Sequence, residues 1–179
     1  MKRAVLLAAV ALAPLAAVAE TPKNTIVMAK QIDDIISLDP AESFEFSGNE
    51  ADSNIYDRLL TFNFDKVSEI RGQIAETWSV AEDGRTYTFK LKKGLKFAYG
   101  NPVTASDVAW SLQRAVILNK SPGFILTQFG FNKENAPETI RAIDPETLVL
   151  VTAKPVAPTF FYYCLTSNVA SIVDAKTVQ

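Results

Sequence analysis

Trp78-Ser-Val80, Glu82-Asp-Gly-Arg85 and Thr86-Tyr-Thr-Phe-Lys-Leu91 form the most legible stretch of the 179-residue chain. Asp83-Gly84 reaches positive φ at little cost, which is what a hairpin turn requires. After it, Tyr87, Phe89 and Leu91 alternate with Thr86, Thr88 and Lys90, so one face is buried and the other wet. The segment is therefore predicted to be an antiparallel hairpin.

On its C-terminal side, Thr104-Ala-Ser-Asp107 is a capping-box-like helix start, with Asp in place of the usual Glu. Val108, Leu112, Ala115 and Val116 line one side of a helix expected to run to about Leu118, before Ser121-Pro122-Gly123. Ile140–Ile143 and Leu148–Thr152 are β-prone around the turn Asp144-Pro-Glu-Thr147, and Pro155 and Pro158 precede a short aromatic helix. On the N-terminal side, Thr25-Ile-Val-Met-Ala29 reads as a buried strand. Ser47 or Asn49 is expected to cap a helix whose apolar face is Ala51, Ile55 and Leu59. Strands and helices in this order predict an α+β arrangement, not regular βαβ alternation.

The first nineteen residues read as a cleaved signal peptide. Lys2 and Arg3 precede an apolar run to Leu15, and Ala17-Val-Ala19 supplies a small-residue cleavage site, so the mature chain is expected to begin at Glu20. No cysteine follows the run, which excludes a lipid anchor there. Periplasmic localisation is the expectation. Taking Lys2 and Arg3 from the 18 basic residues leaves 16 against 20 acidic ones, with no basic block, so nucleic acid is not an expected partner.

Chemistry is sparse. The chain has no histidine and one cysteine, Cys164, so His-dependent nucleophilic systems and His- or thiolate-based zinc sites are excluded. Cys164, in the run Phe160-Phe-Tyr-Tyr-Cys-Leu165, reads as a small buried hydrophobe. Seven glycines form no phosphate-cradling loop. Asp33-Asp34 and Glu42/Glu45 read as solvated surface charge, and Asn49–Asn54 lacks the glycine and distal glutamate of a calcium loop. No catalytic residue, metal or cofactor is expected.

Ile74-Ala-Glu-Thr-Trp78 through Lys90-Leu-Lys-Lys-Gly-Leu-Lys-Phe97, continuing as Gly100-Asn-Pro-Val-Thr-Ala-Ser-Asp-Val108, closely resembles a region of the dipeptide-, oligopeptide- and nickel-binding proteins of ABC importers, solute-binding protein family 5. Leu38-Asp-Pro40, Asn54-Ile-Tyr-Asp-Arg-Leu-Leu60, Asp144-Pro-Glu-Thr-Leu148 and Lys154-Pro155 resemble the same family in the same order. The resemblance implies part of lobe I plus the small β-rich subdomain of a two-lobe, type II periplasmic-binding-protein-like fold, with the second lobe absent. It divides the chain into a signal peptide (1–19), the first strand or strands and ligand-side loop of lobe I (20–48), the small α+β subdomain (49–170) and the start of a return toward the lobes (171–179). Family members are much longer, so the chain reads as an N-terminal fragment, and residues 20–179 alone are expected to fold poorly.

The resemblance also implies a function: capture of a peptide or related small solute, delivered to ABC importer permease subunits by a protein that is monomeric when full length. It places Phe44, Glu45, Phe46 and Ser47 on the ligand-facing loop, by gapless counting from Leu38-Asp-Pro40 to Leu59-Leu60. The two aromatics then either wall a pocket or pack the turn into the helix. Trp78, Tyr87, Phe89, Leu91, Phe97, Val108 and Leu112 belong to the subdomain core instead, and Trp110 lies off the best apolar stripe. A non-transport binding, chaperone or sensing module, and a remnant lobe without function, are the alternatives. An extracytoplasmic enzyme would need its catalytic residues elsewhere.

Overall fold

In the computed structural model, which describes residues 21–178, Asp83 organises the turn. Its carboxylate accepts hydrogen bonds from the Arg85 and Thr86 amides at 2.8 and 2.9 Å and from the Thr86 hydroxyl at 2.8 Å. These bonds hold the carboxyl below its ordinary value. Gly84 takes φ +63°, and its amide reaches the Ala81 carbonyl. The connection spans five residues between β3 (Ala75–Val80) and β4 (Thr86–Leu91), so this hairpin is wider than a two-residue turn. β4 also pairs antiparallel with β6 (Thr147–Val151), and β6 pairs with β5 (Ile140–Asp144), giving a sheet of order β3-β4-β6-β5.

The alternation along β4 sets the core. Tyr87, Phe89 and Leu91 are buried. Tyr87 and Phe161 have ring centroids 4.3 Å apart, and Phe129 meets Phe161 edge-on at 4.8 Å. Phe161 comes from α5 (Pro158–Cys164), where Pro158 occupies the first turn, a position that needs no amide donor. The Tyr87 hydroxyl donates to the Val156 carbonyl at 2.9 Å, which satisfies its one polar group. Trp78 and Phe97 are half-buried against this cluster. Cys164 is half-buried, not enclosed as expected, because it sits at the C-terminal end of α5; burial still pushes its thiol up.

Helix α2 (Ala105–Leu118) covers the sheet. The Thr104 hydroxyl accepts from the Asp107 amide while Asp107 accepts from the Thr104 amide, completing the capping box, and Asn119 closes the helix at φ 44°. Val108, Leu112, Ala115 and Val116 face the core. Half-buried Trp110 instead lies under the Arg114 guanidinium, 6.0 Å from its ring centroid. Short helices α3 (Phe124–Thr127) and α4 (Ala136–Thr139) connect α2 to β5.

Two sequence expectations are corrected here, and one element is additional to them. The chain divides into units 1–31 and 32–179. In the first, residues 21–31 contain no strand, and Ile26 is 96% exposed. An apolar run becomes a strand only where another strand supplies hydrogen-bonding partners. In the second, α1 spans Phe46–Ile55 and starts ahead of both expected caps. Its buried residues are Ser47, Gly48 and Asp52, whereas Ile55 is exposed and Leu59, though buried, lies beyond its end. Finally, β1 (Leu60–Asn63) and β2 (Lys66–Gly72) form a separate hairpin that was not anticipated. The signal-peptide assignment lies outside the described residues.

Candidate functional site

Asp39 fixes the loop in front of α1. Its main-chain carbonyl accepts from the Glu42 and Ser43 amides, and one carboxylate oxygen accepts from the Ala41 amide at 3.0 Å. The same carboxylate receives both terminal nitrogens of Arg114, at 2.8 and 2.5 Å. Arg114 holds the Asp39 carboxyl below its ordinary range, and Asp39 holds the guanidinium above its own. The loop is thereby pinned to the flank of α2.

The residues that follow diverge. Phe44 is half exposed and meets Phe124 edge-on at 5.8 Å, whereas Phe46 is 93% exposed. Phe46 therefore does not pack the turn among the described residues. Glu45 precedes α1 without capping it through its side chain, and its carboxylate accepts from the Phe44 amide. Ser47 is buried, its amide donating to Asp34 at 3.0 Å. Of the four, Phe44 alone lines the adjacent cavity, of about 290 Å³, with Ser53, Arg58, Phe62, Ile125 and Asn168 among its other walls.

The polar floor of this cavity is assembled from distant segments. The chain around Asp57-Arg58 pairs with Ser171-Ile172: Arg58 bridges Ser171 antiparallel, and the Ile172 amide donates to the Asp57 carbonyl at 2.9 Å. That pairing brings the turn at Asn168–Ala170 against α1. Asn168 donates to the Asn49 carbonyl at 2.8 Å, and its side-chain oxygen accepts from Arg58 Nη1. Arg58 is 8% exposed, and burial pushes its guanidinium below its ordinary value. Nearby, Asp52 is fully buried, and among the described residues neither carboxylate oxygen has a hydrogen-bond partner. Burial pushes its carboxyl up; the Ser43 hydroxyl opposes the shift, and the charges of Asp39 and Glu45 add to it.

Sequence reading missed Arg58, Ser53 and Asn168. No local signal marked them, since an arginine is seldom buried and its sequence neighbours do not reveal that it is. Among the described residues no cluster of acidic or cysteine side chains is arranged to hold a metal ion. No helix there is long and apolar enough to cross a membrane. The arrangement offers an aromatic rim, a cavity and fixed donors, which suit non-covalent capture of a small solute.

Residues 69–178 match the family described as bacterial extracellular solute-binding proteins, family 5 middle. The chain is 29% identical over 166 residues to the probable D,D-dipeptide-binding periplasmic protein DdpA of Escherichia coli K12, covering 90% of this chain and 30% of that protein. It is 31% identical over 146 residues to the glutathione-binding protein GsiB of E. coli O6:K15:H31, covering 82% and 27%. The solved structure of the E. coli murein tripeptide binding protein MppA superposes with a TM-score of 0.68 at 29% identity, over 79% of this chain and 29% of that one. The chain thus spans less than a third of the length of these relatives. With well over half of its residues matching the family, it belongs to the bacterial extracellular solute-binding proteins of family 5.

Proposed function

We propose that this chain contributes one side of the ligand cleft of a periplasmic receptor that captures short peptides for an ABC importer. The carrying observation is the family match over residues 69–178, together with a cavity walled by Phe44 beside the Asp39-anchored loop. Relatives named for a D,D-dipeptide, glutathione and a murein tripeptide all point to short peptides and peptide-like solutes. Phe44 and Phe46 act as the aromatic rim, with Glu45 between them available to a positive ligand group. Residues 20–48 carry the ligand-side loop, and 49–170 act as the supporting subdomain.

Capture works by differential affinity. A solute that binds the closed, two-sided cleft more tightly than either face alone shifts the receptor toward closure, and the closed form docks on the permease. The protein binds without chemical conversion, is exported by cleavage after Ala19 and acts as a monomer. Deletion of the gene and uptake of a radiolabelled tripeptide mixture provide the test. Loss of uptake, restored by the gene in trans, is expected; unchanged uptake of every peptide in the mixture contradicts the transport role.

A further inference from the structure

Among the described residues Arg58 is the one buried basic side chain. Nη1 donates to Asn168, but Nε is enclosed without a partner and, among the described residues, Nη2 makes no hydrogen bond and no carboxylate bonds the group, the neighbouring Asp57 acting on it only through its charge. Nε and Nη2 share the edge of the guanidinium that receives a carboxylate through two parallel hydrogen bonds. A cation taken out of water is costly unless it is paired, so a protein holding one this way is poised for an anion. The group lines the cavity beside Phe44 and Phe62, with the Ser53 hydroxyl and Asn168 fixed near it by their mutual hydrogen bond.

We propose that this cavity receives a side-chain carboxylate of the bound solute on the Nε–Nη2 edge of Arg58, so the receptor selects solutes with an acidic side chain at this position. The inference rests on the solute-capture reading above. Asn168 acts as the positioning residue: it accepts from Nη1 and donates to the Asn49 carbonyl, which tethers one end of the fork and leaves Nε and Nη2 without protein partners. Reaching Nε needs a small swing of the guanidinium toward the cavity, which its flexible stem allows. The aromatic walls then take the apolar part of the solute and exclude water from the ion pair, which strengthens it.

The test uses the complete protein, titrated calorimetrically with Ala-Glu-Ala, Ala-Gln-Ala and glutarate, in wild type, Arg58→Gln and Arg58→Lys. Wild type is expected to bind Ala-Glu-Ala at least about tenfold tighter than Ala-Gln-Ala. Arg58→Gln abolishes that difference, and Arg58→Lys, which keeps the charge but not the fork, retains part of it. Ligand-free Arg58→Gln melts no lower than wild type, because the change removes a buried, unpaired charge. Equal binding of the two tripeptides by wild type, or a preference for Ala-Glu-Ala that persists in Arg58→Gln, overturns the proposal. So does a marked fall in the ligand-free melting temperature of Arg58→Gln, which would show that the guanidinium is already satisfied inside the protein. If neither peptide binds but glutarate binds wild type and not Arg58→Gln, the carboxylate site stands and the peptide reading falls. If glutarate and both peptides fail, both fall.

Discussion

Replacing Asp39 by Ala removes the clamp that holds the aromatic loop to α2. Two charge-assisted bonds join Asp39 to Arg114, at 2.8 and 2.5 Å, and a third joins it to the Ala41 amide at 3.0 Å. The two side chains are 33% and 22% exposed, so solvent screens the pair, and its two bonds together contribute about 1–2 kcal/mol. The amide bond adds about 0.5–1 kcal/mol, for a total loss of about 1.5–3 kcal/mol in Asp39→Ala. Urea denaturation of the complete protein, run as a double-mutant cycle with Arg114→Met, should return a coupling of about 1–2 kcal/mol.

The pH dependence of the cycle supplies an independent check. Because the folded carboxyl lies below its ordinary value of 3.8, its stabilisation is full above that pH and disappears as pH falls through the lower folded value. The gap between wild type and Asp39→Ala should therefore be constant near neutrality and close only in acid. A coupling under about 0.3 kcal/mol, or a gap that persists in acid, would refute the clamp.

Asp52→Asn reverses the sign. The buried carboxyl is raised, so wild-type stability is greatest below 3.8 and declines as pH rises through that value to the folded one. The variant should gain about 1–2 kcal/mol at pH 7 and nothing well below 3.8, measured by denaturant melts at both pH values. Phe89→Ala, at a site with no exposure, should cost about 3–5 kcal/mol in the same assay. Gly130 has φ +90° and an added Cβ would sit 2.3 Å from the Ala153 Cβ, so Gly130→Ala should lose about 1–3 kcal/mol. Phe46→Ser should leave the melting temperature unchanged, since the ring is 93% exposed, yet weaken peptide binding several-fold by calorimetry. Expressed alone, residues 20–179 should associate through exposed apolar groups such as Ile26, Ile36 and Phe46; a monomer with a sharp melt by light scattering and calorimetry would contradict this.

The elements legible in the sequence are those whose cause is local. Asp83-Gly84 and the alternation of Tyr87, Phe89 and Leu91 specify a hairpin within fourteen residues of Trp78. Thr104 and Asp107 specify a helix start within four. β2 escaped because Lys66–Gly72 is mostly exposed and does not alternate; pairing with β1 is what makes it a strand. α1 was misplaced because its buried face is Ser47, Gly48 and Asp52, which a search for apolar periodicity passes over. Thr25–Ala29 shows the opposite case, an apolar run that pairs with no strand among the described residues. The cavity was the least legible part. Arg58 and Asn168 lie 110 residues apart, and tertiary contacts such as the pairing of Arg58 with Ser171 place them together.

Native mass spectrometry of the complete gene product, isolated from the periplasm of its own host, tests the capture of a small solute most directly. A mature chain beginning at Glu20 that carries a small-molecule adduct, with a peptide mass recovered on release, is expected. A protein retained in the cytoplasm, or a folded periplasmic one that carries no adduct and takes up none from a mixture of short peptides, would contradict it.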